Sequence, residues 1–319
     1  MRPLISTGSV TRNPDFTDHL RILEHAPSNE LELSIYSSWD ERVVHDLRGL
    51  PVVTVHADKR IGATLSGPNP NLDRFALDCR IAAALGAGLV VLHLWELPDG
   101  DRYLERNLDR LPALLDVADE HGVTLAVETI PCTVGTPLEN VRRACERDPR
   151  CRVTLDTEFL ALHGQLDQAH ELGELIAHVH VKDFDPAVWG TKPRRYLLPG
   201  EGTLDVDGWL RRLPHDGTLT LEMSAVGPEG QIDTERLETA VAWLRRLVPC
   251  AGALRSSAAG RSASRCSAAC SVPGGGSRPR SWPRAVETSV PASSAATTAS
   301  RPRSRTARPP PAPDWSWWR

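Results

Sequence analysis

The sequence predicts an α/β protein, a (β/α)8 barrel followed by a C-terminal tail that takes no part in it. Three observations carry that prediction. Eight short, β-branched apolar runs recur between residues 4 and 224, and amphipathic segments with apolar residues three and four apart lie between them. From Cys250 onward the composition collapses to Ser, Ala, Arg and Pro with no apolar periodicity. Alternating strands and helices imply right-handed crossovers and a parallel sheet, and eight such units close into a barrel. An open doubly wound sheet would usually carry a glycine-rich phosphate loop after its first strand, and Ser6-Thr7-Gly8-Ser9-Val10 holds one glycine.

In chain order the predicted strands are Leu4 to Val10, Leu31 to Ser37, Val52 to Ala57, Leu89 to Trp95, Val123 to Ile130, Arg152 to Thr157, Ile176 to Asp183 and Thr218 to Ser224. The clearest helices are Asp73 to Leu85 and Leu104 to His121, stopped by Gly86 and Gly122, and Thr234 to Leu247 after the eighth strand. The barrel domain is therefore expected over 1–249. The tail, 250–319, reads as disordered low-complexity sequence of the kind that out-of-frame translation of a GC-rich gene produces.

Charge divides along the same boundary. Residues 1–249 carry 26 basic and 39 acidic side chains, a net of −13, whereas 250–319 carry 11 Arg and two acids, a net of +9. An acidic barrel argues against a nucleic-acid groove, which draws its affinity from Lys and Arg on phosphates. Seven cysteines without regular spacing do not form a disulfide framework, and no apolar stretch has signal-peptide or membrane-spanning length. The expectation is a cytoplasmic protein without a membrane partner, its assembly as a homo-oligomer left open.

Barrel chemistry sits at the carboxyl ends of the strands, where polar residues interrupt the apolar runs. Strand 5 ends on Glu128, strand 6 on Asp156 and strand 8 on Glu222, and strand 7 alternates His178, His180 and Lys182 on one face. Taken singly, a carboxylate at a strand end is most often a helix cap. Three of them entering one mouth demand a cation or a proton, and with an imidazole they describe a divalent-metal site. These hard-leaning ligands favour one Mn, Mg or Co ion and admit Zn. His56 and His93, near the ends of strands 3 and 4, are balanced between substrate contacts and core histidines. Lys182 is balanced between a substrate anion and a pair with Asp183.

The series His178-Val179-His180-Val181-Lys182-Asp183, then Leu198-Pro199-Gly200-Glu201-Gly202-Thr203-Leu204-Asp205, then Leu219-Thr220-Leu221-Glu222 resembles the xylose isomerase-like TIM barrels. That family includes sugar phosphate isomerases, ketose 3-epimerases, hydroxypyruvate isomerase and inosose dehydratase, with endonuclease IV as a relative. The resemblance implies Glu128, Asp156, His180 and Glu222 as metal ligands, Glu128 and Glu222 as the acid/base pair, and the Pro199–Gly202 loop at the mouth. Candidate substrate contacts are His56, His93, His178, Lys182 and Arg195. Two positions depart from the pattern: Phe159 stands where the family often has His, and Pro186 where ketose epimerases have Arg, although Arg194 and Arg195 lie nearby.

The function implied is isomerisation or epimerisation of a small sugar, sugar phosphate or related hydroxy-carbonyl compound through an enediolate. A dehydratase of a polyol ketone would begin with the same proton abstraction. A multi-zinc phosphodiesterase would recruit His56 and His93 as ligands, and a non-catalytic metal-binding barrel would follow if Phe159 marks lost activity.

Overall fold

The computed structural model describes residues 1–10, 22, 24, 30–191, 195–225 and 231–247. The expected tail lies outside the described residues, as does Arg194. Eight strands form a closed barrel in chain order, every pair parallel and β1 closing on β8. They are β1 (Arg2–Ser6), β2 (Leu31–Ser34), β3 (Val52–His56), β4 (Leu89–Leu92), β5 (Thr124–Glu128), β6 (Arg152–Asp156), β7 (Ile176–Val181) and β8 (Thr218–Leu221).

Six of the eight predicted strands begin where expected, β1 begins two residues earlier and β5 one residue later, and all eight end early. The first run turns into one helical turn, Thr7–Val10, and the Thr7 hydroxyl accepts the Ser34 amide at 3.1 Å. His93, Lys182 and Glu222 each lie just beyond the last residue of their strand. There the chain leaves the sheet to form loops, so residues at the mouth belong to strand-like sequence without belonging to the ladder.

Helix limits were more legible, because caps mark them. Leu72–Leu85 starts at Asn71, whose side chain accepts the Arg74 amide, and stops at Gly86 with φ 83°. Leu104–Glu120 buries Leu104, Leu108, Leu111, Leu115 and Ala118 on the face turned to the barrel. Each buried Leu contributes about 1.5–3 kcal/mol relative to exposure, so this stripe fixes the helix where propensity alone would not. Val179 and Val181 of β7 are fully buried, as period-two alternation requires for side chains directed at the helices.

Inside the barrel the usual branched aliphatic filling is replaced on one side by polar groups. Glu32, Thr54, His178, His180 and Thr220 are all buried there. No described helix is long and apolar enough to cross a membrane.

Candidate metal centre at the barrel mouth

Glu128, Asp156, His180 and Glu222 converge. One ligand atom from each lies within 4.8 Å of those of the other three, and all four residues are buried. They come from β5, β6, β7 and the residue after β8, so adjacent strands supply them at one level; Asp156 is in register with His180.

The two oxygens of Asp156 divide the ordinary and the functional readings between them. Oδ1 accepts the Phe159 amide at 3.1 Å and caps the helix Thr157–Leu162. Oδ2 is paired with the Lys182 ammonium, 2.6 Å from Nζ. Burial pushes the Asp156 carboxyl up to about 7, helped by Glu128, Glu222 and Glu158 and opposed by the Lys182 ammonium.

Lys182 is the internal cation of the mouth. Its ammonium pairs with Asp156 and Glu222 and lies 3.8 Å from Glu158, with the rings of Phe159 and Tyr196 at 4.7 and 4.8 Å. Burial alone would raise Glu222, but Lys182 and His180 outweigh it and hold its carboxyl at about 2. Asp183 is not its partner. That carboxylate accepts the amides of Phe184, Gly200, Gly202 and Leu204 at 2.7–3.0 Å and so fixes the Pro199–Gly202 loop.

On the opposite side of the mouth three imidazoles address Glu128. His93 Nε2 stands 2.7 Å and His56 Nε2 3.2 Å from Oε2, and His180 Nδ1 stands 2.9 Å from Oε1. Burial holds His93 down at about 4, only partly offset by Glu128. His56 also lies 2.8 Å, through Nδ1, from the Ala57 carbonyl.

His178 lies a layer deeper, with Nδ1 2.7 Å from the Thr218 hydroxyl and Nε2 2.9 Å from Glu32. Both ring nitrogens are engaged in the floor, so His178 has none to offer a substrate. Arg195 lines a pocket beside the mouth with Glu158, Trp189 and Leu197, and its guanidinium lies 3.8 Å from Glu201. Phe159 puts its aromatic face toward the Lys182 ammonium.

Three participants escaped the sequence reading. Glu158 sits in the first turn of the helix Thr157–Leu162 and Tyr196 in a loop, and only folding brings them to Lys182. Glu32 left a signal, a lone charge between Leu31 and Leu33, but the pattern Leu31-Glu32-Leu33-Ser34 also fits ordinary in-out alternation.

The donor set suits a divalent ion. Glu128, Asp156 and Glu222 each bring a carboxylate oxygen and His180 a ring nitrogen within 4.8 Å of one another, a set of hard oxygen donors with one imidazole.

Several solved structures share the architecture of this barrel. The 3-keto-D-glucoside 4-epimerase of E. coli superposes with a TM-score of 0.56 at 18% identity, covering 77% of this chain and 99% of that one. D-psicose 3-epimerase from Clostridium cellulolyticum H10 gives 0.57 at 16% identity, over 78% and 99%. The probable 3-DHS dehydratase of Bacillus anthracis gives 0.58 at 16% identity, over 77% and 99%. At these identities the likeness is one of fold. No curated protein matches the chain in sequence. The family model of the xylose isomerase-like TIM barrel matches residues 45–247, which span β3 to the last helix and include all four converging ligands, and the chain belongs to that family.

Proposed function

We propose that the chain is a divalent-metal-dependent isomerase or epimerase of a small sugar or related hydroxy-carbonyl compound. The observation that carries this reading is the convergence of three buried carboxylates and one imidazole, those of Glu128, Asp156, Glu222 and His180, with one ligand atom from each within 4.8 Å of the others. An ion held there supplies Lewis-acid stabilisation for negative charge developing on neighbouring oxygens.

The chain's own groups do the rest. Glu222, ionised beside Lys182, is placed to take a proton from the carbon next to a carbonyl, and Glu128 to return one from the other side. These glutamates titrate as a coupled set with Asp156, so their protons belong to the cluster. The three imidazoles around Glu128 keep its carboxylate in place, and His93, held neutral with its Nε2–H toward Glu128, keeps Nδ1 as an acceptor for a substrate hydroxyl. Lys182 balances a substrate anion or the carboxylates themselves. Loss of water in place of proton return would make the same site a dehydratase.

A second reading has one observation in its favour. His56, His93 and Glu128 form a ligand group of their own that shares Glu128 with the first, as a two-ion centre for phosphodiester hydrolysis requires. Metal stoichiometry separates the readings. After chelation and reloading, one ion per chain with α-carbon deuterium exchange on ketoses, inososes or hydroxypyruvate is the expected result. Two or more ions with phosphodiesterase activity would replace it.

A further inference from the structure

Glu32 lies in β2 at the floor of the barrel, fully buried, outside the ligand cage. Four donors from three other strands surround its Oε2: Thr54 Oγ1 at 3.0 Å, His178 Nε2 at 2.9 Å, His180 Nε2 at 3.1 Å and Thr220 Oγ1 at 3.1 Å. An isolated carboxylate inside a barrel is costly, and a residue used only for filling would be Val, Ile or Leu. The arrangement is specific to one oxygen, since Oε1 has no hydrogen-bond partner among the described residues.

His180 is the only one of the four donors that also enters the cage. Its Nδ1 faces Glu128 Oε1 at 2.9 Å, and its Nε2 faces Glu32 on the opposite side. An imidazole offers a lone pair from one nitrogen only if the proton stays on the other, and the acceptor of that proton decides which tautomer forms. Glu32, a carboxylate with no proton of its own to offer, fits an Nε2–H and leaves Nδ1 to the cage. Thr54, Thr220 and His178 hold Glu32 from three sides, so it cannot turn away from the ring.

We propose that Glu32 is a positioning residue: from the barrel floor its Oε2 accepts His180 Nε2–H and so fixes the tautomer and ring plane that aim Nδ1 at the metal cage. This rests on the reading of His180 as a metal ligand. Glu32 touches neither ion nor substrate, and His178 becomes part of its support.

The test uses the full chain, with Mn2+ for affinity and Zn2+ for NMR of the imidazole nitrogens. Glu32→Gln should weaken Mn2+ binding about 10–100-fold in chelator competition, the usual scale for loss of a group that orients a metal ligand. In the Zn2+ form His180 should be a single Nε2–H tautomer in the wild type and a mixture in the variant. Thr54→Val/Thr220→Val keeps the carboxylate but strips two of its anchors, and serves if the Gln variant does not fold. A loss of about threefold or more there supports the proposal, and unchanged Mn2+ affinity overturns it. Wild-type protein that binds no Mn2+, or binding indifferent to His180→Ala, overturns both this inference and the metal reading beneath it. Binding that needs His180 but is undiminished in Glu32→Gln, with the tautomer retained, overturns the role of Glu32 alone. A second ion lost with Glu32→Gln would make Glu32 a ligand and overturn it too.

Discussion

Buried among Asp156, Glu158 and Glu222, the Lys182 ammonium is the positive charge through which the mouth tolerates its acids before any ion binds. Removing one partner of a buried ion pair leaves the other uncompensated, at a cost of about 3–5 kcal/mol. Lys182→Met should therefore lose about that much stability in chemical denaturation of the metal-free protein, and saturating Mn2+ should restore most of it. Equal losses with and without Mn2+ would mean that ammonium and ion do not share the same carboxylates. Glu222 bears on the chemistry instead. Glu222→Gln should reduce α-carbon exchange on the order of 100-fold or more, the scale of a lost general acid or base. Near-native exchange would remove Glu222 from the proton path.

Among the elements, the short helix Arg60–Leu65 reaches the site through its backbone. A Cβ at Gly62 would stand 2.5 Å from the His93 carbonyl oxygen and 2.8 Å from that of Trp95, backbone atoms that cannot swing aside. The loop after β4 thus lies directly on this helix, which sets the height of His93 above Glu128. Gly62→Ala should cost about 1–3 kcal/mol by overpacking and displace His93, read as a lower melting temperature and a shifted His93 imidazole resonance. Strands were legible as elements because eight apolar runs punctuate the chain, and their carboxylates were legible because they break those runs. The ends of the strands were not, since pairing stops where loops diverge and the sequence of β4, β7 and β8 continues unchanged in character past that point. Glu32 was hidden by alternation itself: a charge at every second position looks the same whether it faces solvent or the barrel axis.

For the molecule as a whole, one half-buried histidine away from the mouth, His163, contributes to the acid side of its stability. His163 Nε2 accepts the Cys132 amide at 3.5 Å, and burial holds its imidazole down at about 4 against an ordinary 6.5. The unfolded chain takes up that proton near 6.5 while the folded one resists to about 4, so the contribution is present above pH 6.5 and is lost as pH falls toward 4. Partly exposed, the group should account for about 1–3 kcal/mol across that window. His163→Gln should flatten the fall in stability between pH 6.5 and 4 relative to wild type, measured by denaturant midpoints; parallel curves would assign the acid sensitivity elsewhere. The barrel as a whole was readable from its eightfold count, and the convergence of Glu128, Asp156, His180 and Glu222 from the order of polar strand ends. What could not be read was which cation the acids keep close: Lys182 precedes Asp183 in sequence but pairs with Asp156 and Glu222 at the ends of the two strands flanking its own.

The four amides gathered by Asp183, together with its own amide bonded to the Leu197 carbonyl at 3.0 Å, close the chain on itself at the root of the excursion between β7 and the Pro199–Gly202 loop. Whatever the excursion does farther out, its two feet stand on one carboxylate, and lengthening such a closed loop costs only about 0.6 kcal/mol per doubling. Residues 185–191 can therefore be exchanged while Lys182 and His180 keep their places. Breeding new substrate preferences into this scaffold is a matter of exchanging that insert and leaving its clasp alone.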